Sequence, residues 1–436
     1  FLALSVTTIF SVLTDVGLQP VIVREIAKAK EKTFEFARSV LWIKIPFIVL
    51  SVLLVLLASL LLGYDGEILQ LIYLAIVVMV LDAFTLTFYG VLRGLQLLWY
   101  ESIGMFIGQL IIVSFGGFVL VTNPSLSLLI VALIMGSLFN TIYSLWNVVR
   151  RFGLKILKPY FNKKFVWKLL KIAFPFLLAG VFVKIYSYID TIFLSLMIGA
   201  AAVGIYSLSY KLTYAFQFLP LAFTAALYPR MSELVQQDRV RLSELFHQSM
   251  WYMCVLAVPI VFGIWSIADE VVMLAGANFL ESASVLKYLI FVLIPLFLDF
   301  PIGSLLNAAD RQSTKTTIMG FTMLINVGLN LLFIPMYGVL GAAIAAIFSF
   351  SFLFLAGLYF VPKIIPYNVY SLVKLCLPIL VVGSVMGALV LLIKTALPLV
   401  LTVSIAALFY VAGLILVRRL SKQQMLYAIR MFKRSL

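Results

Sequence analysis

Residues 174–230 read FPFLLAGVFVKIYSYIDTIFLSLMIGAAAVGIYSLSYKLTYAFQFLPLAFTAALYPR. They form two long apolar runs joined by the tight turn Ile198-Gly199-Ala200-Ala201. Three charges interrupt the runs: Lys184, Asp190 and Lys211. A charge at membrane depth costs roughly 2.5–3.5 kcal/mol on insertion scales, so it normally faces a partner or a wet cavity. Counted from Ala200, Asp190 lies about ten residues down one helix and Lys211 about eleven down the other. The two are expected at equal depth, able to pair across the hairpin. Lys184 lies six residues from Asp190, which at about 100° per residue puts it on a different face. No acid sits one helical turn away from Lys184. One neutralised pair plus one further cation inside a membrane bundle outlines a transport site. The bland reading keeps Asp190 and Lys211 as a structural pair that holds two helices in register.

Composition sets the class. The chain has 436 residues, 64% hydrophobic and 11% charged, with a mean hydropathy of +1.16. That excludes a soluble domain and requires a polytopic, all-α membrane protein. The net charge of +15 does not point to nucleic acid, because the basic residues fall between apolar runs rather than in one patch. Cys254 and Cys376, the only cysteines, each sit in an apolar run and form neither a metal-ligand spacing nor a disulfide framework. His247 is the single histidine, so a His-based metal site or catalytic triad is not expected. No cofactor and no enzymatic reaction are expected.

About 20 apolar residues cross a bilayer core. Thirteen such runs are expected, at about 1–23, 39–62, 69–92, 102–122, 126–149, 171–198, 202–228, 247–267, 284–308, 315–336, 338–361, 371–393 and 397–417. Alternate connections hold nearly all of the 32 lysines and arginines, which places those connections and the C-terminus in the cytosol of a multi-pass cell-membrane protein. An odd number of spans then starts Phe1 outside, so a fourteenth span is expected ahead of it. The chain divides into an N-terminal lobe (1–149), a cytosolic linker with an amphipathic helix (150–170), a C-terminal lobe (171–361), and two extra helices with a basic tail (362–436). Segments 162–168, 231–247 and 421–436 read as interfacial helices, the last with cations suited to anionic headgroups of membrane lipids.

An internal repeat supports two lobes. Asp82 precedes Arg93 in LDAFTLTFYGVLRGLQ (81–96), and Asp299 precedes Arg311 in LDFPIGSLLNAADRQ (298–312). A weaker relative is Asp15 before Arg24 in TDVGLQPVIVRE (14–25). The two aspartate helices are six spans apart and run the same way, which suggests two pseudosymmetric bundles with a site between them. Asp82 and Asp299 are equally readable as structural or functional acids. Pro175, Pro220, Pro259, Pro295, Pro301 and Pro378 are expected to kink helices, and the tyrosines around the hairpin read mainly as packing.

With these residues in view, the chain resembles the polysaccharide-transporter branch of the multidrug/oligosaccharidyl-lipid/polysaccharide exporter superfamily, which contains the O-antigen (Wzx-type) flippases. The carrying stretches are DVGL (15–18) through VRE (23–25), YID (188–190) through VGIYS (203–207), LYPR (227–230) and NAADR (307–311). The last runs from Asn326 and Asn330 into IPMYGVLGAA (334–343). The resemblance implies a MATE-like arrangement: fourteen helices in two six-helix lobes plus two C-terminal helices around a V-shaped cavity, with the first helix missing here. Similar flippases carry a lipid-linked, polyprenyl-pyrophosphate oligosaccharide from the cytosolic to the outer leaflet for cell-surface polysaccharide or glycan assembly, by alternating access. In that setting Lys184, Lys211 and Arg24 would bind the pyrophosphate in a cationic cavity. Asp15, Asp82, Asp190 and Asp299 would be coupling or structural intramembrane acids, with H+ or Na+ as the coupling ion and glycan-assembly proteins as partners.

Rival readings are a multidrug or cation antiporter of the same superfamily and a membrane glycosyl polymerase or ligase. The antiporter would favour acids without further cations, so Lys184 and Lys211 count against it. The polymerase or ligase would need a large external loop with basic acceptor-binding residues, and the longest external connection has only about sixteen residues, near 268–283. A peptidoglycan-precursor flippase differs in substrate rather than mechanism.

Overall fold

The computed structural model describes residues 1–28, 30–158, 160 and 163–417. The chain forms two compact units, Phe1–Leu196 and Met197–Leu436. The first holds α1 (Leu2–Asp15), α2 (Leu18–Lys28), α3 (Thr33–Leu61), α4 (Gly66–Gly94), α5 (Leu98–Thr122), α6 (Leu126–Phe152) and α7 (Lys163–Met197). The second holds α8 (Ala200–Tyr214), α9 (Phe218–Gln237), α10 (Arg239–Ser266), α11 (Ala268–Met273), α12 (Glu281–Leu289) and α13 (Leu293–Ala308). It continues with α14 (Gln312–Tyr337), α15 (Val339–Phe360), α16 (Val369–Ile393) and α17 (Leu399–Leu416). No strand occurs among the described residues, as expected where every backbone group must be satisfied within its own segment.

Among the described residues eleven helices are long and apolar enough to cross a bilayer, against the thirteen expected. The other two expected spans, 1–23 and 202–228, are interrupted helices. The first breaks at Val16 and Gly17, whose φ values of 51° and 69° are left-handed. Pro20 lies in the first turn of α2, where its missing N–H leaves no gap. The second is tightened by a 3-10 turn, Ala215–Gln217, between α8 and α9. Its cause is Pro220, which has no N–H to give the carbonyl of Phe216. The segments 163–168 and 231–247 form the ends of α7, α9 and α10 rather than separate surface helices. The basic tail 421–436 lies outside the described residues.

Polarity is inverted relative to a water-soluble protein. Leu53, Leu57, Leu60, Leu61, Val121, Leu392 and Leu416 are exposed, while Ser5, Thr14, Lys44, Asn140, Asp190, Asp299, Lys315, Asn326 and Asn330 are buried. Such exposed apolar surface is stable only against lipid. Interior polar groups then find partners on neighbouring helices. In the second unit α12 and α13 form the most enclosed span, Glu281–Ala308, with 78% of its apolar window buried. The α14–α15 hairpin closes at Gly338, φ 60°, and a Cβ on Gly341 would stand 2.1 Å from the Phe333 carbonyl oxygen.

The break between α1 and α2 is the most constrained backbone position. A Cβ on Gly17 would lie 2.6 Å from the carbonyl oxygen of Ala173 and the amide nitrogen of Leu177, so α7 packs directly on the broken backbone. Gly63 shares the φ of 69° but has nothing within 4 Å of a Cβ. Gly17→Ala should therefore destabilise the fold by about 2–4 kcal/mol, against about 1 kcal/mol for Gly63→Ala. Thermal unfolding of detergent-solubilised protein reads the difference; equal losses would mean that backbone strain alone, and not the α7 contact, sets the requirement.

Candidate functional site

In the first unit the helix break gathers polar chemistry. Asp15 is the last residue of α1, and its carboxylate accepts from the Gln19 amide at 3.1 Å, covering one of the orphan donors at the start of α2. Lys44 of α3 reaches the same carboxylate at 2.7 Å, with its own side chain 1% exposed. The ammonium also donates to Thr87 Oγ1 at 2.8 Å and to the Ala83 carbonyl at 3.3 Å, both on α4. Its three donors are thus used, and α1, α3 and α4 are tied at one point.

Lys184 lies on α7, thirteen residues before Met197, or about 20 Å of helix rise. It is partly buried, and its ammonium sits 5.6 Å from the centre of the Tyr188 ring, in cation–π range. Among the described residues no carboxylate is paired with it. A Cβ on Gly180, one turn earlier, would meet Val12 of α1 at 2.6 Å, so this part of α7 lies close against α1. Asp190 is buried further along α7, its carboxylate accepting from the Thr191 amide at 2.8 Å. Arg24 falls within α2, but its side chain lies outside the described residues.

The second unit carries its own set. Lys211 is exposed in the last turn of α8, beside a ladder in which Tyr210 stacks on Tyr214 at 4.2 Å. Tyr206 is fully buried, a packing residue. Deeper in the bundle, Asp299 of α13 is chelated by Lys315 of α14, with contacts of 2.7 and 2.6 Å and only 12% and 8% of the two side chains exposed. The lysine stem passes beside Gly303, where a Cβ would stand at an ordinary contact distance of 3.5 Å. At another corner Lys287 pairs with Asp269 at 2.7 Å, and Lys394 with Glu270 at 3.1 Å, tying α11 to α12 and to the end of α16.

The repeat motif leads to two different environments. Asp299 is neutralised and buried, whereas Asp82 on α4 is exposed. Arg93 forms a two-pronged pair with Glu101 of α5, one contact at 2.8 Å, while Arg311 is exposed. Sequence reasoning missed Lys44 altogether and assigned Lys315 to a cytosolic helix end. The available signal for Lys44 was a lone cation inside an apolar span, with Asp15 as the acid on the preceding helix.

Breaking either buried pair leaves an uncompensated charge. Lys44→Met and Lys315→Met should each cost about 3–5 kcal/mol of stability, and adding Asp15→Asn or Asp299→Asn should return much of it. Arg230→Ala, at an exposed pair with Glu233, should cost under about 1 kcal/mol. Thermal unfolding of the single and double variants measures this; losses that add without recovery would show that the pairs are not energetically coupled.

Comparisons with known proteins agree with this architecture. The sequence profile of the family described as Polysaccharide biosynthesis protein matches residues 2–235, and that described as MatE matches residues 175–332. The chain is 29% identical over 170 residues to the "Probable flippase AglR" of Haloferax volcanii, a match covering 38% of this chain and 36% of that protein. It thus spans about a third of that relative's length. The "Probable low-salt glycan biosynthesis flippase Agl15" of the same organism is 22% identical over 355 residues, 80% of this chain and 73% of that protein. In structure the chain is similar to "Lipid II flippase MurJ, inward closed conformation", with a TM-score of 0.72, 16% identity and 96% of each chain covered. At that identity the likeness establishes the fold, an all-α membrane architecture of MATE and MurJ type. With more than half of its residues matched by one profile, the chain belongs to the Polysaccharide biosynthesis protein family.

Proposed function

We propose that the protein flips a lipid-linked, polyprenyl-pyrophosphate oligosaccharide from the cytosolic to the outer leaflet, by alternating access of its two units, in the assembly of a cell-surface glycan. Lys184 carries this reading: a cation deep in an apolar helix, over a tyrosine ring, with no carboxylate paired to it among the described residues. Hydrocarbon disfavours such a charge, so the position is explained by an anion that visits it. A pyrophosphate supplies that anion, while its polyprenyl tail has no need to leave the lipid. Arg24 of the first unit and Lys211, exposed on α8 of the second, are proposed as further phosphate-binding cations.

Family membership and the two relatives named as flippases support the class of transport. With the arginine-rich helix ends in the cytosol, outward movement of the headgroup anion runs with an inside-negative potential, worth about 2.3 kcal/mol per charge per 100 mV. Asp15 and Asp299 are already neutralised by lysines. We therefore assign them to holding the bundles rather than to carrying a coupling ion. The MatE match over residues 175–332 favours one second reading, exchange of organic cations.

Binding of a short-chain polyprenyl-pyrophosphate oligosaccharide to full-length protein separates the readings. The expected result is salt-sensitive binding that falls at least about tenfold in Lys184→Ala, the loss of a charge-assisted contact worth about 1.5–3 kcal/mol. Binding unchanged by the substitution would remove Lys184 from the site. No binding, together with exchange of organic cations, would support the second reading.

A further inference from the structure

We infer that the cleft between α4, α5 and α6 of the first unit is a subsite for the sugar rings of the carried lipid, an assignment that rests on the flippase reading above. The cleft has a volume of about 340 Å³, within the roughly 300–1,000 Å³ of small-molecule sites. Its polar lining is Asp82, Thr85, Tyr89, Glu101, Gln109, Ser137 and Asn140. Val78, Ile112 and Leu133 close one end with apolar surface. Glu101, held by Arg93, marks the other end. Asp82 lies eleven residues from Arg93, about 16 Å of rise along α4.

Three properties choose the ligand. First, Asp82 and Gln109 are exposed in the middle of membrane-spanning helices. A carboxylate there does not face lipid, so the cleft is wet or filled by polar groups. Second, the two carboxylates are spread along the cleft rather than converging, and one is already neutralised by Arg93. Among the described residues no three metal-ligating side chains gather, so a bound cation is a poor fit. Third, the carboxylate acceptors share the lining with amides and hydroxyls that both donate and accept, a mixture suited to a polyhydroxylated ligand, with Met105 and Leu86 as apolar flanks for ring C–H faces.

The wall is also preset. Tyr89 donates its hydroxyl to Asn140 Oδ1 at 2.8 Å, and Asn140 Nδ2 donates to the Gly136 carbonyl at 3.0 Å. A Cβ on Gly104 would stand 1.9 Å from the Tyr89 hydroxyl, and one on Gly108 2.1 Å from Asn140 Nδ2, so the two glycines of α5 make space for this pair. Thr85, also in the lining, and Thr141 bridge α4 and α6 at 2.8 Å. Polar groups held in advance lose little entropy when a ligand arrives.

The test measures affinities of full-length protein for two probes: polyprenyl pyrophosphate without sugar, and the lipid-linked saccharide extracted from the cells that make the protein. The wild type should bind the saccharide form about tenfold tighter or more. Gln109→Leu and Asp82→Asn should each remove that preference and leave the affinity for the bare lipid within about twofold, in proteins that unfold at the wild-type temperature. Equal binding of both probes by the wild type, or full preference in both variants, would overturn the subsite and leave the flippase reading standing. Binding of neither probe would end both. As a check that needs no lipid affinity, Gln109→Cys, with Cys254 and Cys376 replaced by alanine, should react with a hydrophilic thiol reagent. It should be protected by the saccharide form and not by the bare lipid. An unreactive thiol would show the cleft covered by protein and overturn the proposal.

Discussion

A charge placed in hydrocarbon needs a counter-charge or a wet cavity, and among the described residues each unit holds a deeply buried pair: Asp15 with Lys44, and Asp299 with Lys315. Each lysine is more than nine-tenths buried, a position that desolvation makes untenable for a lone ammonium. The pairs act as locators. Lys44 can be satisfied only where α1 ends and α4 offers Thr87 and a carbonyl, which ties the helix break to the depth of α3. Lys315 of α14 is satisfied by both carboxylate oxygens of Asp299 on α13, which fixes those two helices against each other. Apolar packing against lipid discriminates weakly between helix registers; a buried ion pair discriminates strongly.

Much of the architecture was legible because hydrocarbon imposes a simple code. Run length identified most of the spans, and Gly199, read as part of a tight turn, has a φ of 121°. Two spans were readable only as hydropathy, since an apolar run does not reveal a left-handed pair at Val16 and Gly17 or the carbonyl that Pro220 leaves unserved. The site was less legible. Asp82 and Asp299 occupy matching motifs, yet one is exposed and the other chelated, and the difference comes from Lys315 on the next helix. Pairing is a property of two helices, whereas the sequence displays one at a time. The cleft illustrates the same limit: Gly104 and Gly108 read as ordinary small residues until Tyr89 and Asn140 are seen against them.

Function follows from what these constraints leave over. Asp15 and Asp299 are each paired with a buried lysine, whereas Lys184 has no carboxylate paired to it among the described residues. A transporter of an amphiphile with an anionic, hydroxyl-rich headgroup needs these two kinds of surface: cations for the phosphates and a hydrogen-bonding wall for the sugars. The first unit offers both chemistries on a scaffold otherwise matched to lipid.

The most direct measurement is translocation by full-length protein reconstituted in liposomes, with a polyprenyl-pyrophosphate saccharide in one leaflet and a membrane-impermeant enzyme or lectin reporting its arrival in the other. The account predicts protein-dependent appearance of the saccharide that is lost in Lys184→Ala. Failure to move any such lipid, with ready exchange of small organic cations by the same preparation, would contradict it.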